Sequence, residues 1–295
     1  NLKYSKVCTI GDKLKVTEKD IPIISDTLND MGMNLCKHAN GRDWWLLKPD
    51  FTNKAFYKVL LTNGVFEIID KQIIDSVSTN SGLGQSVFSP DGRTLASIDY
   101  YNGLRIFNFD RCSGNITLRA HIPNYKEFEF SGVAISPNSR FLYVSLTHNI
   151  IQHDLASKDI FLSADTVARW DSTRYQNFWE NNFSSMQLAP DGKIYVTTTS
   201  SSQTFHAIDF PDLRGKDCQV RKFSVRTTHF RGLPQYPNYR LGPLKGSPCD
   251  TLRQPPTAAW SYDAQALELA FQDASFHDIR AWHWSLGDGG ADTVA

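Results

Sequence analysis

The sequence lacks an excess of charge of either sign, and it lacks a long apolar run. Its 31 Lys and Arg residues balance 31 Asp and Glu residues, so the formal net charge is zero. Nucleic-acid-binding domains usually carry a basic surface and a high pI, so this composition argues against that class of partner. No apolar stretch approaches the roughly 20 residues that cross a bilayer, so no transmembrane helix is predicted.

Closely spaced cysteines are also missing. The five cysteines are Cys8, Cys36, Cys112, Cys218 and Cys249. None belongs to a C-x-x-C pair, so a zinc site of the usual spacing is not predicted. Because the number is odd, at least one thiol has no partner within this chain. Two interpretations stay open for the others: buried free thiols, or a Cys218–Cys249 disulfide at the end of the repeat region.

The sequence contains no short motif of a known catalytic centre. It has no G-x-S-x-G elbow, no H-E-x-x-H and no P-loop. Its eight histidines are scattered, so neither catalytic residues nor metal ligands are assigned and no cofactor is expected. Asp288 and Asp292 flank glycines and are the candidates for Ca²⁺, but two carboxylates are too few for such a site.

What the sequence does contain is one hairpin pattern used four times. Each copy is a short strand, a polar turn and a second strand, with turn anchors about 50 residues apart at Gly41, Gly92, Ser139 and Gly192. A preceding Asp or Asn can bond its own backbone, and glycine takes the left-handed position without steric cost. A period of this length with hairpin chemistry is typical of a β-propeller, with one blade per repeat.

Two further strands follow each hairpin, which makes an all-β fold of four-stranded blades. The runs are rich in β-branched and aromatic residues. The predicted third strands are 55–60, 104–109, 149–154 and 204–209, and the predicted fourth strands are 65–69, 116–120, 159–163 and 219–224.

The ends of the repeat region set the predicted domains. Residues 1–30 read as the outer half of one more blade, so either upstream blades are missing or residues 230–244 supply its inner strands. The propeller is expected over 1–242, a Pro-rich linker over 243–255, and a partial sandwich over 256–295, because its segments alternate like strands.

The segment Trp284-Ser-Leu-Gly-Asp-Gly289 resembles the W-x-F-G-D-G signature of PKD domains, with Leu286 in place of the usual Phe. That resemblance implies an immunoglobulin-like sandwich of the kind common in secreted and surface proteins. About half of such a domain is present in this sequence.

Three stretches of the repeat region stand out, namely His38-Ala-Asn-Gly-Arg-Asp-Trp-Trp45, Phe109-Asp-Arg-Cys-Ser-Gly114 and Gly232-Leu-Pro-Gln-Tyr-Pro-Asn-Tyr-Arg-Leu-Gly242. On these stretches the region resembles the propellers of large surface proteins of Bacteroidetes-type bacteria. This resemblance implies a secreted or cell-surface location and export by type IX secretion. It implies no catalytic residues.

The candidate binding residues are aromatic and lie mostly in a predicted insertion over residues 165–182, which interrupts the repeat. They are Trp170, Tyr175, Phe178 and Trp179, together with Trp45 of the first hairpin. An aromatic loop on a rigid scaffold suits recognition of a surface glycan or a protein partner. The alternative is that these rings fasten the insertion to the propeller.

We therefore expect a non-enzymatic binding or scaffold protein, adhesive in character. One alternative is a lactonase-like hydrolase with a metal at the channel mouth, where Asp99, Asp154 and Asp209 near strand ends would gather. If they hold no metal, these carboxylates would cap turns and form hydrogen bonds between blades. A third alternative is a component of a surface secretion assembly.

Overall fold

The chain is described here from a computed structural model. The described residues are 1–29, 32–74, 84–123, 125, 131–172, 174–175, 179–180, 182–198, 203–226, 232–250, 258–265, 268–273, 275, 281–285 and 291–294. Within them the chain is all-β, and its helical content is a 3₁₀ turn at Gly215–Cys218. These parts of the chain hold no helix long and apolar enough to cross a membrane.

An antiparallel hairpin comes first and precedes four four-stranded antiparallel sheets. The hairpin pairs β1 (Leu2–Ile10) with β2 (Lys13–Ile24). Blade 1 consists of β3 (Asn34–Lys37), β4 (Trp44–Pro49), β5 (Ala55–Thr62) and β6 (Val65–Ile73). Blade 2 consists of β7 (Gly84–Phe88), β8 (Thr94–Asp99), β9 (Gly103–Phe109) and β10 (Ile116–Ile122).

The second pair of blades is separated by a short hairpin. Blade 3 consists of β11 (Gly132–Ile135), β12 (Phe141–Leu146), β13 (Asn149–Asp154) and β14 (Asp165–Arg169). The hairpin pairs β15 (Arg174–Tyr175) with β16 (Trp179–Glu180). Blade 4 consists of β17 (Met186–Leu188), β18 (Ile194–Val196), β19 (Thr204–Ile208) and β20 (Val220–Arg226). The predicted propeller-like fold of four-stranded blades is confirmed.

The four repeated turns share one geometry. The residues at their anchors have positive φ, at 74° for Gly41, 71° for Gly92, 61° for Ser139 and 79° for Gly192. In each turn the anchor amide donates to the carbonyl three residues earlier, at 2.8–3.0 Å. The Asp or Asn before each anchor accepts from the amide two residues after it. The turn chemistry predicted from the sequence is therefore present in every repeat.

One predicted strand is wrong. The fourth strand of blade 3 is Asp165–Arg169, whereas the predicted run 159–163 forms turns. The loop is fixed by its polar groups: His153 Nδ1 bonds the Ile160 carbonyl at 2.8 Å, and the Asp154 amide donates to Ser163 Oγ at 2.9 Å. This arrangement buries Ile160, so its apolar side chain anchors a loop and does not indicate a strand.

The blades pack face to face in chain order, and strand alternation decides which neighbour each side chain meets. On β11, Val133 and Ile135 join a buried cluster shared with blade 2, while Ala134 joins the cluster shared with blade 4. On β4, Trp45 faces blade 2 and Leu46 faces the N-terminal hairpin. Blades 2 and 3 are thus covered on both faces, which explains why their middle strands are almost completely buried.

Residues 232–250 contain no strand, so the idea that 230–244 supplies missing inner strands is wrong for the described part of that segment. Further along, β21 (Trp260–Gln265) pairs with β22 (Glu268–Asp273), and β23 (Trp282–Ser285) pairs with β24 (Ala291–Val294). Residues 286–290 of the PKD-like signature, including Asp288, lie outside the described residues, and the side chain of Asp292 is not described.

The disulfide differs from the pairing considered above. Cys249 pairs with Cys112, at a Cα–Cα distance of 5.6 Å and a sequence separation of 137 residues. Cys218 is a free thiol in the core between blades 3 and 4, and that burial raises its pKa to about 11. Cys218 therefore has no access to Cys249 in this fold.

Candidate functional site

The strand-end carboxylates are engaged in structural pairs. Asp99 Oδ1 accepts from the amides of Tyr101 and Asn102 at 3.0 and 2.8 Å. Asp154 pairs with Arg140 at 2.8 Å. Asp209 accepts from both Lys193 and Arg221, which lowers its pKa to about 2.

These contacts match the reading in which such carboxylates cap turns and fasten strands. Among the described residues, no group of three or more His, Cys, Asp and Glu side chains is placed to hold a metal ion.

Trp45 is a core residue and not an accessible one. Its side chain lies between blades 1 and 2 with 3% of the residue exposed. The indole Nε1 donates to the Arg111 carbonyl at 2.8 Å. The rings of Trp44 and Trp45 point to opposite faces of β4, as strand geometry requires, and Trp44 is half-buried. A ligand therefore has no route to Trp45 in this structure, which corrects its place among the binding residues.

The aromatic insertion begins later than the sequence indicated, because residues 165–169 belong to blade 3. Trp170 continues from β14 and is half-buried against the core of blades 3 and 4. Its ring stacks on His148 with centroids 4.8 Å apart, and its amide donates to the His148 carbonyl at 2.8 Å. This residue fastens the insertion to blade 3.

The other predicted members of the insertion are less fully described. Tyr175 and Trp179 occupy opposed positions on β15 and β16, while Phe178 lies outside the described residues. The structure thus brings the backbones of Tyr175 and Trp179 together in one hairpin.

A cavity of about 650 Å³ lies where the innermost strands of blades 1, 2 and 4 end in their first turns. Its walls are residues 33–37 of blade 1, 86–90 of blade 2 and 187–190 of blade 4. The segment 235–241, called the covering segment below, forms the fourth wall. No local pattern in the sequence indicates this site, because its walls come from four separated parts of the chain.

The covering segment and the residues that follow it, 235–250 together, are attached to all three of those blades. Tyr236 Oη donates to the Leu188 carbonyl of blade 4, and Asn238 Nδ2 donates to the Pro90 carbonyl of blade 2, each at 2.9 Å. The Leu244 amide donates to the Ala39 carbonyl of blade 1 at 2.8 Å. Beyond them, the Cys112–Cys249 disulfide holds the end of the segment to blade 2.

The walls of the cavity are mainly apolar, with few ionisable groups. Val87, Phe88, Leu188 and Leu241 supply aliphatic and aromatic surface. Lys37 and Arg240 are the charged residues among those that line it, and no Asp or Glu is among them. The sequence signal for this wall of the cavity is the run over residues 232–242, because its prolines and tyrosines suit an extended covering segment.

Lys37 is the buried cation of the cavity. Only 8% of the residue is exposed, and its ammonium lies 5.4 Å from the centroid of the Trp44 ring. Trp44 meets Tyr239 of the covering segment edge-on, with centroids 5.5 Å apart. Burial lowers the pKa of Lys37, and the nearby positive charge of Arg111 lowers it further.

No protein-family model matches the chain, and no curated protein matches it. Among solved structures, the chain is similar to a proposed 6-phosphogluconolactonase from Bacteroides uniformis, with a TM-score of 0.46, 15% identity, and coverage of 69% of this chain and 59% of that chain. It is similar to a second proposed 6-phosphogluconolactonase, from Bacteroides fragilis, with a TM-score of 0.34, 19% identity, and coverage of 45% of this chain and 36% of that chain.

A third similar structure is a catalytically inactive virginiamycin B lyase from Staphylococcus aureus with quinupristin. The TM-score is 0.43 and the identity 11%, with 76% of this chain and 61% of that chain covered. The chain thus spans 59% and 36% of the lengths of the two lactonase-like proteins and 61% of the lyase.

Proposed function

We propose that this chain is a ligand-binding β-propeller of an exported protein, and that its ligand is a small molecule held in the covered cavity. The cavity is the observation that carries the proposal. Its volume of about 650 Å³ falls within the range of roughly 300–1,000 Å³ that is usual for small-molecule sites. Such sites combine apolar walls with a few polar groups that orient the ligand, and these walls have that composition.

The covering segment supports a binding role. Hydrogen bonds to three blades and a disulfide hold 235–250 in place, so the fourth wall is preformed. A preformed wall favours affinity because little conformational entropy is lost when the ligand arrives. The aromatic insertion is the weaker candidate surface, since Trp170 is occupied in packing against blade 3.

The disulfide also supports the proposed location. Disulfides persist in oxidising compartments such as the cell exterior and are rare in reducing ones. The setting that we propose is a secreted or surface-exposed propeller, which the disulfide supports; export by a type IX system and a PKD-like spacer after the propeller are proposed from the sequence resemblances alone. The ligand in that setting would be a soluble molecule or the end of a surface glycan.

The proposal is tested by filling the cavity. Ala189 lines it, so Ala189→Trp should displace a neutral apolar probe such as N-phenylnaphthylamine. We expect the affinity for that probe, measured by fluorescence titration, to fall at least tenfold. Ala156→Trp is the control, because Ala156 is an exposed alanine of blade 3 that does not line the cavity. Equal affinities for the two variants would refute the cavity as the binding site.

The lactonase-like alternative predicts a different observation. A hydrolase that works through a metal at the channel mouth should purify with stoichiometric metal. Elemental analysis of the full chain, together with hydrolysis of a panel of lactones, separates the two functions. Turnover that disappears on chelation would replace the binding proposal with the enzymatic one.

A further inference from the structure

We propose that the cavity selects organic anions, and that Lys37 binds their charged group. This inference rests on the proposed function, since it assigns a ligand class to the same cavity. The class is defined by its chemistry: one carboxylate, phosphate or sulfonate on an apolar or ring-shaped body.

The walls of the cavity carry positive charge and no negative charge. Lys37 and Arg240 contribute two positive charges, and no carboxylate lines the cavity, although the whole chain is neutral. Charge of one sign in a cleft with apolar walls raises the local concentration of ions of the opposite sign. The cavity therefore differs from the rest of the surface in its preference for anions.

Lys37 has no counter-ion among the described residues. Its ammonium makes no ion pair with them, and its neighbour is the face of Trp44. Lys58, another buried lysine at 5% exposed, has a counter-ion, since its ammonium lies 3.1 Å from Asp70. An ammonium that no carboxylate neutralises can form a charge-assisted hydrogen bond with the anionic group of a ligand.

Arg111 strengthens the preference but does not bind the ligand. It is 2% exposed, and its guanidinium donates to three backbone carbonyls, those of Lys37, His38 and Gly242, at 2.9, 3.2 and 2.6 Å. Its hydrogen bonds are thus committed to the fold. Its positive charge still acts on Lys37 through the interior and cannot neutralise it.

The aromatic and apolar surfaces near Lys37 indicate what kind of body the ligand has. Trp44 and Tyr239 meet edge to face beside the ammonium, and Phe88 and Leu188 form walls further along. Apolar and aromatic surfaces of this kind favour a ligand with a ring or hydrocarbon body over a bare inorganic ion. The cavity therefore suits an organic anion better than free phosphate or sulfate.

Two fluorescent probes with the same aromatic body test this inference on the full chain. Anilinonaphthalene sulfonate carries a negative charge and N-phenylnaphthylamine is neutral. Removing the ammonium with Lys37→Met should weaken binding of the sulfonate by about 10- to 100-fold, the range of one charge-assisted hydrogen bond. Affinity for the neutral probe should stay within twofold of the unsubstituted chain.

Two further variants separate recognition from folding. Lys37→Arg keeps the charge and should keep most of the sulfonate affinity. Lys58→Met removes a buried lysine outside the cavity and should change neither probe. If Lys37→Met binds the sulfonate as the unsubstituted chain does, or if Lys37→Arg loses it equally, anion recognition by Lys37 is refuted while the binding site stands. If the unsubstituted chain binds neither probe, both proposals fail.

Competition then distinguishes the kinds of charged group. Benzoate, phenyl phosphate and benzyl alcohol share one ring and differ in the attached group. We expect the two anions to displace the bound sulfonate and the alcohol to be at least tenfold weaker. The stronger of the two anions identifies carboxylate or phosphate as the natural group, whereas equal displacement by benzyl alcohol would overturn the inference.

Discussion

Gln85 and Met186 lie 101 residues apart and join the first strand of blade 2 to the first strand of blade 4. Gln85 Nε2 donates to the Met186 carbonyl at 2.5 Å, and the Met186 amide donates to Gln85 Oε1 at 3.0 Å. The same oxygen accepts from the Val133 amide of blade 3 at 3.2 Å. One buried side chain thus ties three blades at their inner edges, next to the cavity.

Gln85→Met should therefore destabilise the propeller. Methionine keeps the length of the side chain but leaves two amides and one carbonyl unpaired, at about 1–3 kcal/mol for each buried group. We expect the free energy of unfolding in urea to fall by about 3 kcal/mol. Gln187→Met is the matched control, because among the described residues the side-chain amide of Gln187 donates only to the carbonyl of its neighbour Leu188. Similar losses in both variants would argue against the role of Gln85.

The disulfide should matter both for stability and for the cover of the cavity. Cys112→Ser removes a link across 137 residues, and such links contribute about 2–5 kcal/mol to stability. We also expect faster proteolysis within 232–250 and faster release of N-phenylnaphthylamine, measured by stopped flow. Cys8→Ser is the control, since Cys8 is a free thiol. Unchanged cleavage after Cys112→Ser would mean that hydrogen bonds alone hold the covering segment.

His206 should make the fold sensitive to acid. It is fully buried, its Nδ1 accepts from the Phe223 amide at 3.2 Å, and Nε2 lies 3.3 Å from the Asn182 carbonyl. Burial lowers its pKa from 6.5 to about 4. Because the folded state holds the neutral ring, the contribution to stability is complete above pH 6.5 and is lost as the pH falls towards 4.

The expected loss over that interval is about 3 kcal/mol for a shift of this size. This loss is measured by urea unfolding at several pH values between 7.5 and 4, a range that includes the interval over which His206 should lose its contribution. His206→Gln should reduce the slope over this range. His121→Gln, at an exposed histidine of blade 2, should leave the slope unchanged. Identical slopes for all three proteins would exclude His206 as the sensor.

Trp170→Ala separates packing from recognition in the aromatic insertion. Loss of the stack on His148 and of the contact with the core should lower the free energy of unfolding by about 1–3 kcal/mol. Binding of a glycan array by the remaining folded protein should not change. Trp179→Ala tests the neighbouring hairpin in the same assay. Loss of array binding without loss of stability would restore the insertion as the binding surface.

The sequence predicted the parts of the fold that depend on local chemistry. The four turns are each defined within five residues, by an Asp or Asn and an anchor with positive φ, so their positions could be predicted one by one. The fourth strand of blade 3 could not, because Ile160 and Phe161 resemble strand residues until His153 and Ser163 fix them in a loop.

The candidate site needed contacts that local patterns do not contain. Lys37 is one of many lysines in the sequence, and only its burial beside Trp44 and Tyr239 distinguishes it. The same holds for the pairing of Cys112 with Cys249, which depends on where residues 232–250 cross the blades. The aromatic content of the insertion predicted a binding surface there, although the ring of Trp170 contributes to packing.

The position of the covering segment in the chain sets the order in which the molecule is completed. Hairpins with short sequence separation form early, whereas contacts between distant residues come late. Blades 1 to 4 can assemble from neighbours in sequence, but the fourth wall waits for residues 235–241 to be synthesised and for Cys249 to meet Cys112. A nascent propeller therefore has its scaffold before it has its pocket, because residues 235–241 are synthesised after all four blades.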